Sequence, residues 1–346
     1  MRWMIYGANG YTGTLLVAEA VRRGLTPVVA GRNEVAVTAL GRDHGLEARV
    51  FDLDQPGDAL SGIGLVLHCA GPFSATCAPM VEACLAAGAH YLDITGEIDV
   101  FAWCHAQHDR ARARGVVLLP GTGFDIVPTD CLAAMLAAEV PDARALVLAF
   151  EAGGGASRGT ALTSVEGLGR GGRVRRGGQL VSVPLAWKTR SFERDGKPRT
   201  AMTIPWGDVY TAFVSTGIPD IEVYLAVPPR AIAALRRLRL LGPVLRTGLA
   251  QRWLKARVAR STTGPDAARR AATGCHVWGE VTDAAGNVTR RELITPNGYD
   301  LTVTAALGIV ERLLRQPAPA GGYWTPSRLM GAEYVLALPG VTQPHG

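Results

Sequence analysis

The chain has 346 residues, 48% hydrophobic and 19% charged, with a formal net charge of +6. That length asks for two domains, or for one large α/β unit with an insertion, and the apolar content excludes a disordered chain. The 42 glycines follow no period, which excludes a collagen-like repeat, and the absence of a run of about 18 uncharged apolar residues gives no expectation of an ordinary transmembrane helix.

The basic excess is carried by arginine, since Lys188, Lys197 and Lys255 are the only lysines. A GC-rich genome produces that bias without functional pressure, and no recognisable nucleic-acid module accompanies it. Six cysteines, Cys69, Cys77, Cys84, Cys104, Cys131 and Cys275, form no CxxC pair. The scatter suggests reduced thiols in a cytoplasmic protein, with neither a disulfide frame nor a metal site. A strand pattern begins at Arg2, so no signal peptide is expected.

The first 125 residues alternate strand and helix patterns. Trp3–Tyr6 reads as a strand and Thr12–Arg23 as a helix. Pro27–Ala30 is the second strand, followed by a helix near Glu34–His44. Ala48–Phe51 and Leu65–Cys69 are the third and fourth strands. A helix over Thr76–Ala87 leads to a strand at Tyr91–Ile94, and a helix near Val100–Arg114 leads to a sixth strand at Val116–Leu119. Continuous apolar strands separated by helices mean a parallel sheet covered on both faces, a doubly wound α/β sheet of Rossmann type.

Beyond about residue 125 the pattern changes. Pro128–Ala138 reads as a helix, Ala145–Phe150 as a strand, and Gly153–Gly178 as a Gly- and Arg-rich loop broken by a short helix. Strand-like pieces follow at Leu180–Val183, Thr200–Ile204, Glu222–Val227, His276–Val281 and Arg290–Ile294. They predict a second α/β domain with a mixed or antiparallel sheet. Leu301–Arg315 is an amphipathic helix, 317–322 a linker, and Tyr323–Pro339 an apolar tail. The expected domains are 1–127 for nucleotide, 128–300 for substrate and oligomerisation, and 301–346 returning to the first.

The first strand runs into Gly7-Ala8-Asn9-Gly10-Tyr11-Thr12-Gly13, a GxxGxxG turn that opens a helix. Small residues let the backbone approach a pyrophosphate, and the helix terminus supplies free N–H groups and the positive dipole end. The second strand ends at Gly31-Arg32-Asn33, where an acidic residue would serve the ribose hydroxyl of NAD; an arginine suits a 2′-phosphate, so NADP(H) is favoured. Asp52, after the third strand, is placed to bound the adenine pocket. Cys69-Ala70-Gly71-Pro72-Phe73 ends the fourth strand, where the chain would pass the nicotinamide ribose, with Phe73 flanking the ring. No tyrosine has a lysine four residues later, which excludes short-chain dehydrogenase machinery.

Asp93, Glu97 and Asp125 follow the fifth and sixth strands, at the carboxyl edge where open α/β sheets bind ligands. Asp125 is a candidate proton donor with Tyr299 and Lys188, and Tyr210 is a further candidate; Asp93 and Asp125 serve equally well as helix caps or loop ties. The four arginines of Gly169–Gly178 suit either an acidic substrate arm or a solvated hairpin tip. Nine basic residues lie within 230–260 with no acidic residue between Glu222 and Asp266. Peripheral contact with an anionic membrane through this stretch is one expectation, although Gly242-Pro243 breaks it into two pieces.

Gly7–Gly13, Ala30-Gly31-Arg32, Cys69–Phe73, Tyr91–Glu97 with Gly96 in its Thr-Gly-Glu end, and Gly121–Asp130 resemble the saccharopine dehydrogenase-like oxidoreductases. The similarity is greatest to the branch with bacterial trans-acting enoyl reductases. Thr325-Pro326-Ser327, Gly331-Ala332 and Leu338-Pro339-Gly340 resemble that branch too. Saccharopine-forming reductases carry Gly-Ile-Asp-His where this chain has Gly123-Phe124-Asp125-Ile126, so Asp125 is kept and the histidine is replaced. The resemblance implies an NADP-binding Rossmann domain and an NADPH-dependent oxidoreductase reducing a polarised enoyl C=C bond of an apolar or acyl-linked small molecule. Imine reduction or secondary-amine dehydrogenation is the alternative, and a non-catalytic NADP-binding sensor or membrane-associated scaffold is the alternative of another class. A homodimer is expected, and no nucleic-acid partner.

Overall fold

A computed structural model gives the fold of all residues except 170, 195, 240–244, 246, 262–263, 316–318 and 345–346; the side chains of 163, 166, 168 and 259–261 are also outside the described set. The expected break at Gly242-Pro243 therefore lies outside the described residues. The chain divides into two compact units, Met1–Val127 with Tyr299–Met330, and Pro128–Gly298 with Gly331–Gly346. The segment from Gly331 onward, expected with the first domain, thus groups with the second.

The first unit opens β1 (Trp3–Tyr6), α1 (Tyr11–Arg22), β2 (Val28–Gly31), α2 (Glu34–His44), β3 (Ala48–Val50), β4 (Leu65–His68), α3 (Phe73–Ala87), β5 (His90–Asp93), α4 (Ile98–Ala106), α5 (His108–Arg114) and β6 (Val117–Leu119). Every residue of β1, β2, β4, β5 and β6 is buried, as a parallel sheet covered on both faces requires. β1 lies between β2 and β4, with parallel pairing on both sides. The strand order therefore reverses at β1, and the crevice at the carboxyl ends of β1 and β4 is where such sheets take ligands.

Two boundaries differ from the sequence reading. α3 begins at Phe73 because Pro72 is extended (φ −74°, ψ 134°) and the Glu97 carboxylate accepts from the N–H groups of Phe73 and Ser74. The single helix expected near Val100–Arg114 is two, parted at Gln107.

The second unit opens with α6 (Val127–Glu139), which begins at the boundary, and β7 (Ala145–Ala152), α7 (Arg158–Leu168), β8 (Gly172–Arg176), β9 (Gln179–Val183), β10 (Thr189–Arg194) and β11 (Lys197–Thr203). It continues with α8 (Asp208–Thr216), β12 (Asp220–Ala226), α9 (Pro229–Leu238), α10 (Gly248–Ser261), α11 (Ala267–Ala271), β13 (Gly274–Thr282) and β14 (Val288–Pro296). The sheet is mixed, in order β10-β11-β12-β7-β13-β14, with β8 on β12 and β9 on β8. β7 and β12 are parallel, and β13 is antiparallel to both β7 and β14.

One sheet face packs on α6: a Cβ at Gly279 would stand 2.6 Å from a Leu136 methyl. The other face carries a core of Ala149, Phe192, Ala201, Tyr224 and Trp278. The Gly153–Gly178 stretch, expected to be mostly loop, forms a three-turn helix and a strand. Its Gly177-Gly178 pair, both at positive φ, makes the hairpin turn between β8 and β9.

The chain then forms α12 (Gly298–Arg315), β15 (Gly322–Tyr323) and α13 (Pro326–Met330). β15 pairs with β6 in parallel, so the first sheet has seven strands and the tail supplies one of them. A two-residue strand has too little pattern to read from sequence. Among the described residues no helix is long and apolar enough to cross a membrane.

Candidate functional site

Backbone hydrogen bonds hold the glycine turn. The N–H groups of Gly7 and Ala8 donate to Ala30 O (2.8 and 3.1 Å), and Gly10 N–H donates to Gly7 O (3.0 Å). Gly7 has φ +80°, and a Cβ there would lie 2.8 Å from Ala70 N. At Gly13 a Cβ would lie 2.3 Å from Gly7 O. The first glycine thus permits the turn against Ala70, and the last permits α1 to begin directly behind it.

α1 starts after Gly10 with no side-chain cap and no acidic residue in its first turn. Helix N-termini leave backbone donors unsatisfied, and the dipole favours an anion there. The residues present fit a dinucleotide pyrophosphate. Asn9, Tyr11 and Thr12 surround that start; Asn9 Oδ1 would lie 3.0 Å from a Cβ on Gly31. Tyr11 meets Tyr299 edge-on, centroids 4.9 Å apart, so one of the candidate proton donors stands beside the turn.

Arg32 is 74% exposed at the end of β2, its guanidinium 4.0 Å from the Asp52 carboxylate, which is 54% exposed. The guanidinium is accessible to a phosphate. Asn33 is accounted for otherwise: its Oδ1 accepts from Ala36 N–H at 3.0 Å and caps α2, so its side chain has a structural task.

On the β4 side, Cys69 N–H donates to Tyr6 O, and burial pushes its thiol far above the ordinary range, which leaves it inert. Thr76 Oγ1 donates to Ala70 O (2.7 Å) and meets His68 Nε2 at 2.9 Å. Burial holds His68 down to about 3, so the ring is neutral and anchors Ala70-Gly71. Phe73 packs edge-on against His68 and is buried.

The three carboxyls have separate roles. Asp93 is buried; its Oδ1 accepts from Thr95 N–H (3.0 Å) and Gly121 N–H (2.8 Å), and its Oδ2 from Tyr91 OH (2.7 Å). It ties β5 to the segment after β6, as a loop tie does, although burial raises it to about 7. Glu97 caps α3, with Phe73 N at 3.0 Å and Ser74 N at 2.9 Å. Asp125 lies against Gly96, where a Cβ would stand 3.1 Å from its Oδ2. Burial, and then the charge of Glu97, raise Asp125 to about 7. A carboxyl poised there holds or gives up a proton at neutral pH.

Lys188 belongs to the second unit. Its ammonium bonds Glu222 at 2.6 Å and lies 4.5 Å from the Trp187 ring centroid. Tyr210 is beside Arg175. Arg175, expected either in a clamp on an acidic substrate arm or in a solvated hairpin tip, is buried. It donates to Val209 O (2.8 Å) and Gly178 O (2.6 Å) and stacks over Phe213, so it is committed to the hairpin. His68 and Thr76, which shape the β4 turn, left no sequence signal, because their partnership depends on the extended chain at 69–72. A cleft of about 390 Å³ lined by Arg2, Gly24, Leu46 and Glu47 opens at the amino-terminal ends of β1–β3, away from the glycine turn.

Residues 3–119 match the family model described as the saccharopine dehydrogenase NADP binding domain. A saccharopine dehydrogenase-like oxidoreductase of Arabidopsis thaliana is 33% identical over 147 residues, 37% of this chain and 32% of that protein. One of Mus musculus is 29% identical over 150 residues, 37% and 35% of the two chains. A Mycobacterium tuberculosis protein named for trans-acting enoyl reduction is 29% identical over 188 residues, 47% and 43%. The match to the first two relatives thus spans about a third of their length. In fold, the chain is similar to saccharopine dehydrogenase (L-Glu forming) from Saccharomyces cerevisiae, with TM-score 0.62, 9% identity, and 96% of each chain covered. The turn, the Rossmann sheet and the family match agree that residues 3–119 are similar to the NADP-binding domain of saccharopine dehydrogenases.

Proposed function

We propose that the protein is an NADPH-dependent reductase that saturates a polarised enoyl C=C bond in an apolar or acyl-linked substrate. One observation carries the reading. The same unit pairs an uncapped, acid-free helix terminus behind Gly7–Gly13 with a carboxyl, Asp125, raised to about 7.

In this reading the first-turn N–H groups of α1 hold the pyrophosphate, and Arg32 pairs with the 2′-phosphate. Ala70-Gly71, fixed by Thr76, lets the chain pass close to the nicotinamide side. When bound, NADPH supplies the hydride. Asp125 carries the proton that the adjacent carbon takes, and Glu97 helps to keep that proton in place by its charge. Tyr299, beside Tyr11, is the second donor to test. The choice of C=C is supported by the name of the mycobacterial relative.

The test is oxidation of NADPH by the purified protein with a crotonyl thioester and, separately, with a cyclic imine. Thioester turnover that falls at least about a hundredfold in Asp125→Asn supports the reading. Imine turnover alone moves the reaction to C=N. NADPH binding with no turnover of either leaves a nucleotide-binding sensor or scaffold.

A further inference from the structure

The mixed sheet of the second unit carries basic side chains in excess on one face. Glu222, Val147 and Glu280 are in register across β12, β7 and β13, and Glu151 lies on the same face of β7 by the alternation of strand side chains. Each of these carboxylates grips two basic groups. Glu222 takes Arg176 and Lys188. Glu280 takes Arg190 at 2.9 Å and Arg290 at 2.6 Å. Glu151 takes Arg194 at 3.0 Å and Arg199 at 3.3 Å. A fourth carboxylate, Glu292, is engaged by His276 at 2.8 Å.

At the β12 end of this face a cleft of about 450 Å³ is lined by Trp187, Lys188, Arg190, Glu222, Tyr224 and Arg236. Its one lining carboxylate is already engaged: Glu222 Oε1 accepts from Arg176 and Lys188, and Oε2 from Tyr224 OH. Arg236 uses Nε on Ala186 O, and Arg239 bonds the Leu185 and Ala186 carbonyls. Among the described residues neither of these arginines pairs with a carboxylate. The lining holds three cations, Lys188, Arg190 and Arg236, against one carboxylate, Glu222, which leaves an excess of two positive charges around the opening. Burial and the neighbouring Arg176 and Arg190 lower the Lys188 ammonium, as like charges crowded together do. Trp187 gives the cleft an apolar wall.

We propose that this cleft binds the dianionic phosphate of a phosphate ester, with Lys188 and Arg236 as its ligands and the organic part of the ester against Trp187. An excess of two positive charges matches a dianion, and guanidinium and ammonium donors both suit phosphate oxygens. The volume lies within the range of about 300–1,000 Å³ typical of sites for small organic ligands, so an ester fits better than a bare ion. Arg176, one of the four arginines of the hairpin segment, is placed here by the Gly177-Gly178 turn. A separate NADPH titration reads nucleotide binding in the first unit.

The test is calorimetric titration of the full chain, free of nucleotide, with phenyl phosphate and with benzyl alcohol as the uncharged comparison. The expected result is saturable binding of phenyl phosphate below about 1 mM and none of benzyl alcohol. Arg236→Gln or Lys188→Gln should each weaken binding about tenfold, the loss of one charge-assisted hydrogen bond. Lys188→Arg should restore it, which separates ligand contact from folding. Arg257→Gln, whose guanidinium lies over Trp253, should leave it unchanged. No saturable binding, undiminished binding in both Gln variants, or equal binding of benzyl alcohol would overturn the proposal.

Discussion

Replacing Asp125 with asparagine should stabilise the protein at alkaline pH while removing the proton that the reduction needs. The group rises from 3.8 to about 7 on folding, so the folded chain keeps a proton that the unfolded chain has released. Stability therefore falls as pH rises from about 3.8 to about 7, and above that the cost is complete. A tenfold difference in proton affinity is worth about 1.4 kcal/mol, which sets a ceiling of about 4 kcal/mol. Solvent reaches part of this residue, so the gain in Asp125→Asn is about 2–4 kcal/mol near pH 8 and under about 1 kcal/mol near pH 4. Urea unfolding of both proteins at the two pH values reads this directly. A gap of the same size at both, or a variant less stable at alkaline pH, would refute the assignment of a raised carboxyl.

Gly13→Ala places a methyl 2.3 Å from Gly7 O, a backbone atom, so the turn must move; NADPH affinity should drop at least about tenfold with a lowered Tm, and native affinity would contradict the turn's role. Glu97→Gln weakens the anionic cap on Phe73 and Ser74 and should cost about 0.5–1 kcal/mol. It also removes a charge that raises Asp125, so the pH dependence described above should shift to lower pH, and an unmoved profile would break that link. Leu249 and Trp253 are exposed one turn apart on α10, among Arg252, Lys255 and Arg257. Trp253 emission should shift to the blue with phosphatidylglycerol vesicles but not with neutral ones, and Trp253→Ser should weaken co-sedimentation; no binding to anionic vesicles ends the membrane expectation.

Local pattern carried much of the first unit. The apolar runs at Trp3–Tyr6 and Leu65–His68 and the Gly7–Gly13 turn were legible because each is short-range: buried parallel strands are continuously apolar, and a turn before a helix needs small residues. What escaped was set by distant partners. α3 starts at Phe73 because a carboxylate 24 residues later bonds Phe73 N. β15 exists because Gly322 and Tyr323 find the edge of β6. Arg175 looked like its neighbours in the hairpin, yet it donates to Val209 O and is buried. Asn33, a nucleotide-binding candidate in the sequence, also caps α2, through a bond to Ala36 N–H that the sequence did not announce. Of the proposed donors, Tyr299 sits beside the glycine turn through Tyr11, a pairing across the whole first unit that no spacing rule could give.

The measurement closest to the central claim is a titration of the purified chain with NADPH and with NADH, repeated on Arg32→Ala. Arg32 is exposed beside Asp52 at the end of β2, so tight NADPH binding, weaker NADH binding and a loss of about ten- to a hundredfold of that preference in the variant are expected. Equal affinity for both nucleotides in the native protein, or a preference that survives the loss of Arg32, would contradict the 2′-phosphate assignment. Failure to bind either nucleotide would contradict the oxidoreductase reading itself.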